Sequence, residues 1–325
     1  MTRAALELVD VSRVFRRGAT RRVAVDGFDL TLAPSSVTCL LGPNGAGKTT
    51  TVKMASTLLA PTSGEVVVAG VDAVRRPREA RRHLGLVLGG DRGFYLRATA
   101  RENLRFFATL TAVPTRLHRS RVTELLATVG LSDRADDRVE TFSRGMRQRL
   151  HLARALLGEP TVVLFDEPSI GLDPEGARDL RDLVVQQRDH GRSILLTTHD
   201  LNEAEALSDT VIVIDDGRTV ASGDARHVAQ LAGVELVTTT SLPLLPPSLV
   251  PRLMDRADVA EVVVRQKPFA AEVDIFWTTG SALPPSGSRL VDVLTVEPHW
   301  TTTRPVSLHE AYLAFIARAR RIETS

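Results

Sequence analysis

One glycine-rich segment constrains the fold of this chain more than any other feature of its sequence. The segment Gly42–Thr49 has the spacing GxxxxGKS/T and follows the short apolar run Val37–Leu41. This spacing is typical of a phosphate-binding loop when a strand precedes it and a helix follows it. Glycines let the backbone turn its N–H groups inward, and the helix adds the positive end of its dipole. We therefore expect Val37–Leu41 to be a buried strand of an α/β fold, with a helix after the loop.

The loop also supplies the candidate residues for binding a nucleotide. Lys48 is expected to reach the β- and γ-phosphates, and the hydroxyl of Thr49 to ligate Mg²⁺. The loop alone indicates a P-loop NTPase without identifying which kind. The predicted phosphate-binding residues are Gly42, Pro43, Asn44, Gly45, Ala46, Gly47, Lys48, Thr49 and Thr50.

Strand-like and helix-like segments alternate through the first two thirds of the chain. A helical pattern covers about residues 97–157, broken by Pro114, Gly130 and Gly158, and another covers Glu175–His190. This alternation favours a mostly parallel sheet covered by helices. Apolar runs predict strands at Leu6–Val9, Val23–Leu32, Val37–Leu41, Glu65–Ala69, Leu84–Leu88, Thr161–Phe165, Ser193–Thr197 and Thr210–Ile214.

The composition changes near residue 222, which predicts a first domain over residues 1–222 and a second over 223–325. The second begins with a segment rich in Pro, Ser and Thr, Thr238–Ser248. Alternating patterns then predict strands at Glu261–Arg265, Glu272–Trp277 and Arg289–Val296. We expect a small α+β domain.

A capping-box pattern predicts the helix that closes the chain. Ser307 and Glu310 have the required spacing, and the helix is expected over about Leu308–Arg321. Its apolar positions on one face are Leu308, Ala311, Tyr312 and Phe315.

Two adjacent carboxylates follow the strand predicted at Thr161–Phe165. A buried strand places its last side chains at the carboxyl edge of the sheet, where ligands collect in open α/β folds. Asp166 is expected to hold magnesium through water, and Glu167 to polarise an attacking water as general base. The pair predicts hydrolysis of a bound nucleotide.

A third motif separates this chain from other P-loop proteins. Phe142–Leu150 precedes Asp166 by about 20 residues and opens a predicted helix. Its sequence, FSRGMRQRL, resembles the LSGGQ signature of the ABC (ATP-binding cassette) family, with Ser143 and Gly145 in the expected places. In that family the signature contacts the γ-phosphate of ATP on a second domain, so the resemblance implies a head-to-tail dimer. It also implies the cassette fold, with a mostly parallel sheet, an antiparallel β subdomain and a helical subdomain.

The order of the remaining motifs extends the resemblance over about residues 4–222. Ser169–Pro174 is similar to the family's D-loop, which implies that Asp173 lies at the dimer interface. His199 is similar to the switch histidine, which touches the γ-phosphate and keeps the general base in line. Phe15 lies where the family places an aromatic residue that stacks on adenine. The resemblance therefore implies ATP and Mg²⁺ as ligands, and an ATPase coupled to transport across a membrane.

One departure from the family lies after the strand predicted at Leu84–Leu88. The family has a glutamine there, and its expected position falls on about Gly90, with Asp91 as a candidate substitute. This departure leaves open how the chain makes its coupling contact with the membrane partner. The expected nucleotide site is not affected. Phe94 and Tyr95 are expected either to face a partner helix or to fold back onto the helical subdomain.

Arg144 is the second departure, because the family more often has glycine at this position of the signature. A guanidinium there is electrostatically compatible with the γ-phosphate of ATP on the partner domain. An orientation toward solvent is equally open.

Three classes of function remain compatible with these motifs. They are the ATPase subunit of an exporter with separate membrane permease subunits, a soluble ABC ATPase acting on ribosomes or chromosomes, and a regulatory module that holds ATP without turnover. One cassette is present, and about 95 residues without sustained heptads separate Lys48 from Ser143, which disfavours the second class. Glu167 and His199 are both present, which disfavours the third. We therefore expect an exporter ATPase.

The C-terminal sequence supports the same class. Pro305–Tyr312 resembles the start of the closing helix in exporters of the drug, antibiotic and polysaccharide type. A regulatory tail like that of maltose importers is the alternative.

The composition places further bounds on partners and location. The formal net charge of +2 gives no reason to expect a nucleic-acid partner. Arginine clusters, such as Arg16–Arg17 and Arg75–Arg82, are expected to be solvated surface, with contact to anionic lipid headgroups as the alternative. The single cysteine, Cys39, is expected to be a buried thiol. No apolar stretch reaches the roughly 18 residues needed to span a bilayer, so we expect a cytoplasmic protein, peripheral on the cytoplasmic face of the cell membrane.

Overall fold

The structure is a computed structural model, and it describes residues 3–18, 20–89, 93–111, 113–231, 233–279 and 293–311. The chain divides into two compact units, residues 1–220 and 221–325. The strands of the described residues are β1 (Leu6–Arg17), β2 (Thr20–Leu32), β3 (Val37–Leu41), β4 (Ser63–Val68), β5 (Val71–Asp72), β6 (Leu84–Leu88), β7 (Val162–Asp166), β8 (Ser193–Thr198), β9 (Thr210–Asp215), β10 (Arg218–Gly223), β11 (Val234–Leu242), β12 (Val259–Lys267), β13 (Ala270–Thr278) and β14 (Trp300–Pro305). The α-helices are α1 (Lys48–Ala55), α2 (Pro77–Ala80), α3 (Ala100–Leu110), α4 (His118–Thr128), α5 (Arg144–Ala155), α6 (Pro174–Asp189), α7 (Leu201–Leu207), α8 (Ala225–Leu231) and α9 (Leu249–Met254).

A six-stranded sheet, in the order β10-β9-β3-β8-β7-β6, forms the centre of the first unit. Strand β3 pairs in parallel with β8 and β9, and β7 pairs in parallel with β6 and β8. Strands β3, β7 and β8 are buried along their whole length, which explains their continuous apolar sequences. Cys39 lies in β3 and is buried, as predicted. Because the strands are parallel, their carboxyl ends meet at one edge of the sheet.

A four-stranded antiparallel sheet, in the order β2-β1-β4-β5, packs beside the parallel sheet through a shared core. Its first two strands are longer than predicted, because β1 extends to Arg17 and β2 begins at Thr20. The pairing of β1 with β2 shifts register between Leu8 and Val14, which breaks the alternation of apolar residues on which the prediction depended.

Helices α3, α4 and α5 form a helical subdomain within the predicted range 97–157. A capping box starts α3, because Thr99 Oγ1 accepts a hydrogen bond from the Glu102 N–H at 3.1 Å and Glu102 Oε2 accepts one from the Thr99 N–H at 2.8 Å. The helices end before Pro114, Gly130 and Gly158, where the pattern breaks were expected.

The second unit contains an antiparallel sheet in the order β12-β13-β11-β14, and α9 connects β11 to β12. The chain order β11-α9-β12-β13-β14, with β14 on the other side of β11 from β13, gives the strand order of a ferredoxin-like unit. Its core is formed by Leu242, Leu249, Leu253, Val259, Val273, Ile275, Trp277 and Leu294.

The second unit contains two strands that were not predicted, and one expected strand is wrong. Five residues of the Pro-, Ser- and Thr-rich segment, Thr238–Leu242, belong to β11, because β-branched threonines suit a strand and Thr238 Oγ1 lies 2.9 Å from Thr303 Oγ1 of β14. The strand expected at Arg289–Val296 is absent from its described part, where residues 293–294 are helical. Strand β14 was not predicted, because its side chains are exposed and do not alternate.

The capping box of the closing helix is present. Ser307 Oγ accepts a hydrogen bond from the Glu310 N–H at 3.3 Å, and Glu310 Oε2 accepts one from the Ser307 N–H at 2.9 Å. Residues 308–311 are helical, and the remainder of the expected helix, with Tyr312 and Phe315, lies outside the described residues.

Candidate nucleotide-binding site

The phosphate-binding loop joins β3 to α1 and has the backbone conformation that its glycines allow. Gly45 and Gly47 have φ angles of +90° and +110°, a region that favours glycine. A Cβ atom on Gly47 would lie 2.6 Å from the carbonyl oxygen of Ala24, so no larger residue fits there. The two glycines therefore allow the tight turn by which the N–H groups of such a loop can surround a phosphate.

Lys48 begins α1 and turns back over this loop. Its Nζ donates hydrogen bonds to the carbonyl oxygens of Gly42 at 2.7 Å and Pro43 at 3.1 Å. The side chain is only 3% exposed, so its positive charge is concentrated inside the loop. A phosphate bound there would meet both the lysine charge and the N-terminal end of the helix.

Asp166 ends β7 beside the phosphate-binding loop. Its Oδ1 accepts hydrogen bonds from Thr49 Oγ1 at 3.1 Å and from Thr197 Oγ1 at 2.8 Å. Oxygen ligands of this kind suit Mg²⁺, which also keeps water and phosphate oxygens in its shell. Among the residues that the structure describes, no three His, Cys, Asp or Glu side chains form a metal cluster, so a cation here would need those further oxygens.

Glu167 follows Asp166 in a strained conformation that directs its side chain into the site. Its φ angle is +48°, which is uncommon for a residue with a Cβ. The backbone is held by Thr197, whose carbonyl oxygen and Oγ1 accept from the Glu167 N–H at 3.1 and 3.0 Å. Glu167 Oε1 lies 3.3 Å from Lys48 Nζ and 3.8 Å from His199 Nδ1. Five of the predicted site residues thus lie together: Lys48, Thr49, Asp166, Glu167 and His199.

Phe15 lies on β1, and its ring is 40% exposed. The guanidinium carbon of Arg13 lies 4.8 Å from the ring centroid, and Arg13 Nη1 donates to the Ala60 carbonyl oxygen at 2.8 Å. One face of the ring is therefore covered by a fixed cation, while the side chain keeps an exposed area for a stacking partner.

The signature residues and Asp173 form a second group. Ser143 caps α5, since its Oγ accepts from the Met146 N–H at 3.2 Å, and Asp173 caps α6, since its Oδ1 accepts from the Gly176 N–H at 2.9 Å. Ser143, Gly145 and Asp173 line one cavity of about 410 Å³, whose lining includes no residue of the phosphate-binding loop. The structure therefore separates the predicted site residues into two groups.

Phe94 and Tyr95 behave differently from each other. Phe94 folds back onto the helical subdomain, with its ring centroid 4.3 Å from that of His151 and 5.9 Å from that of Phe107. Tyr95 is 58% exposed. The structure therefore confirms the second alternative for Phe94, while Gly90 and Asp91 lie outside the described residues.

Three residues that support the site or the segments beside it received no role from the sequence. Thr197 bonds both Asp166 and Glu167 and lies inside a buried strand, where a threonine is a usable indication of a polar partner. Asn103 is fully buried and bonds the N–H and carbonyl oxygen of Tyr95 at 2.8 and 3.0 Å. Glu203 on α7 accepts from Ser169 Oγ at 3.0 Å, and burial raises the pKa of its carboxyl.

The site combines a phosphate-binding loop, two carboxylates at the end of β7 and a histidine beside them. This combination defines a P-loop nucleotide hydrolase. The family model described as "ABC transporter" matches residues 25–170. The chain is 38% identical over 218 residues to the ABC transporter ATP-binding protein NatA of Bacillus subtilis (strain 168). This match covers 67% of this chain and 89% of NatA. The chain belongs to the ABC transporter family, as an ATP-binding protein with ATPase activity.

Two further comparisons agree. The chain is 43% identical over 210 residues to the daunorubicin resistance ATP-binding protein DrrA3 of Streptomyces coeruleorubidus, a match that covers 65% of this chain and 66% of that protein. The dimeric, ADP- and phosphate-bound cassette MJ0796 has the same fold, with a TM-score of 0.61 and 24% identity over 67% of this chain and 98% of that one. These findings confirm the predicted family, cassette fold and ATPase activity. In the described part of the chain, no helix has the length and apolar character needed to cross a membrane.

Proposed function

We propose that this chain is the ATPase subunit of an exporter, that it works as a head-to-tail dimer of ATP-binding domains, and that it acts on separate permease subunits at the cytoplasmic face of the membrane. The observation that carries the proposal is the division of the site into two groups. Lys48, Asp166 and Glu167 surround one site, while Ser143 and Asp173 line a different cavity. A second domain is needed to bring the two groups onto one nucleotide.

The residues of the first group supply the side chains that hydrolysis of ATP requires. The loop residues Gly42–Thr50 bind the phosphates, and Lys48 offsets their charge. Thr49 and Asp166 would hold Mg²⁺, which neutralises phosphate charge when bound. Glu167 orients and polarises the attacking water, and His199, 3.8 Å away, keeps that carboxylate in line. Phe15 provides a face for adenine.

The second group completes the site of the partner domain. Ser143 and Gly145 stand at the N-terminus of α5, where backbone N–H groups and the helix dipole attract an anion. Asp173, at the N-terminus of α6, lies at the dimer interface. Two domains arranged head to tail enclose two nucleotides and exclude water other than the attacking one. Loss of the γ-phosphate opens the dimer, and this movement drives the permease.

An exposed apolar group on the helical subdomain is a candidate contact with the permease. Tyr95, Phe106 and Leu110 are 58%, 41% and 64% exposed, and the rings of Tyr95 and Phe106 are in edge-to-face contact at 5.1 Å. Phe106 and Leu110 are four positions apart on α3 and so share one face. Apolar patches of this kind mark protein interfaces.

Outward transport is supported by the likeness to a daunorubicin resistance ATP-binding protein. Residues 223–325 are proposed as an accessory α+β domain. The net charge of +2 gives no reason to propose a nucleic-acid partner. The presence of Glu167 and His199 disfavours a module that binds ATP without turnover.

The test uses the variant Glu167→Gln and its oligomeric state by size-exclusion chromatography with light scattering. ATP with Mg²⁺ is expected to convert this variant from monomer to dimer, while ADP leaves it monomeric. The non-hydrolysing variant keeps the γ-phosphate that joins the two domains. A variant that stays monomeric at saturating ATP would overturn the dimeric site.

A further inference from the structure

Arg144 makes an unusual contact between two segments of the second group. It is the first residue of α5, directly after the capping residue Ser143. Its guanidinium lies against the backbone of Gly171, where a Cβ atom would be 2.5 Å from Cζ of Arg144 and closer still to Nη1. The side chain is exposed, but its guanidinium extends across to the segment that precedes α6.

Gly171 is a position where only a small residue permits this contact. Its φ angle is +68°, in the left-handed region, and its missing side chain leaves the space that the guanidinium occupies. None of the ion pairs in the described part of the chain uses Arg144, although Asp173 and Glu175 line the same cavity.

The two helix starts also approach each other through their glycines. A Cβ on Gly145 would lie 3.9 Å from Cα of Gly176, which is ordinary van der Waals contact. The N-termini of α5 and α6 are thus adjacent, and Arg144 spans the gap at their outer end. Two contacts at separated points fix the relative position of two segments better than one contact does.

We propose that Arg144 is a positioning residue that clamps the signature segment, Ser143–Gly145, to the segment Gly171–Asp173, so that both reach the partner domain's ATP as one unit. This inference rests on the proposed head-to-tail dimer. A pre-arranged pair of segments loses less conformational freedom when the dimer closes, which lowers the ATP concentration that closure requires.

The experiment measures the ATP concentration for half-maximal dimerisation in the Glu167→Gln background. Arg144→Gly is expected to raise this concentration about fivefold or more, the lower range of coupling between distinct sites. Nucleotide affinity of the dilute monomer is a second measurement and is expected to stay unchanged, because Arg144 does not line the phosphate-binding loop. The matched control is Arg119→Gly, an exposed arginine in the first turn of α4.

Gly171→Ala makes the test specific to the contact. The new methyl group displaces the guanidinium while leaving Arg144 in the chain, so this variant is expected to need more ATP, as Arg144→Gly does. In the Arg144→Gly background, Gly171→Ala is expected to raise the ATP concentration by a smaller factor, because only the strain of a Cβ at φ +68° remains once the contact has been lost. Equal multiplicative effects of Gly171→Ala in both backgrounds would overturn the clamp.

Arg144→Lys separates geometry from charge. Lysine keeps the charge and lacks the planar guanidinium that covers Gly171, so it is expected not to restore dimerisation. Full rescue by lysine would overturn the clamp in favour of a charge effect. If Glu167→Gln itself forms no ATP-dependent dimer, the proposed function fails, and if Arg144→Gly dimerises like its parent, only the clamp fails.

Discussion

Lys48 Nζ lies 3.3 Å from Glu167 Oε1, so the phosphate-binding lysine and the proposed general base form an ion pair across the site. Lys48 is 3% exposed and Glu167 20%, and the pair is therefore poorly screened by solvent. Under the proposed function, an incoming phosphate would draw the lysine away from the carboxylate, and this exchange would release Glu167 to face the attacking water. Nucleotide binding and activation of the base would thereby be coupled.

Glu167→Gln is expected to lower the rate of ATP hydrolysis by about 10²–10⁴-fold, the contribution typical of a general base. ATP should bind at least as tightly as in the wild type, because a neutral amide competes less for Lys48. Steady-state phosphate release and equilibrium nucleotide binding measure the two effects. Glu65→Gln, at an exposed position of β4, is the matched control. Near-normal hydrolysis by Glu167→Gln would contradict the assigned role.

Thr197→Val is expected to impair the site without changing its shape. The hydroxyl donates to Asp166 at 2.8 Å and accepts from the Glu167 N–H at 3.0 Å, so valine removes two buried hydrogen bonds and leaves each group with one remaining partner. We expect a loss of about 1–3 kcal/mol in the free energy of unfolding and a lower ATPase rate. Urea unfolding and phosphate release test this, and Thr197→Ser, which keeps the hydroxyl, should retain both properties.

Phe94→Ala is expected to destabilise the first unit by about 1–3 kcal/mol. The ring contacts His151 and Phe107, and the guanidinium carbon of Arg154 lies 5.2 Å from its centroid. Tyr95→Ala is the matched control, because Tyr95 is 58% exposed and its loss should change stability by less than about 0.5 kcal/mol. Thermal unfolding compares them, and equal shifts for the two variants would contradict the observed packing of Phe94.

His151 is expected to make stability depend on pH. Burial, followed by the charge of Arg154, lowers the pKa of this imidazole from 6.5 to about 3. The unfolded chain therefore binds a proton below pH 6.5 that the folded chain refuses, and stability falls as pH decreases from 6.5 toward 3. The expected loss from this group is about 1.4 kcal/mol per pH unit in that window.

The measurement compares the free energy of unfolding in urea at pH 7.5 and pH 5.5. His151→Phe and His151→Leu, which do not titrate, should each lose about 1.4 kcal/mol less than the wild type over this change. The same pH dependence in all three proteins would contradict a neutral, buried His151.

Local sequence determined the elements whose function depends on consecutive residues. The glycines of Gly42–Gly47, the acids that end β7 and the capping boxes at Thr99 and Ser307 are each formed by residues close in the chain, and their geometry follows from backbone conformation and hydrogen bonding over a few residues. Parallel pairing was likewise predictable, because strands buried on both faces have continuous apolar sequences.

Tertiary structure alone decided contacts between residues distant in the chain. Thr197 joins Asp166 and Glu167 because β8 lies beside β7, and Arg144 reaches Gly171 because α5 and α6 begin side by side. The threonine-rich β11 and the exposed β14 were missed for the same reason, since their pairing with each other stabilises both strands. The local sequence pattern indicates whether a segment prefers helix or strand. The packing of the whole unit determines which distant residues its side chains contact.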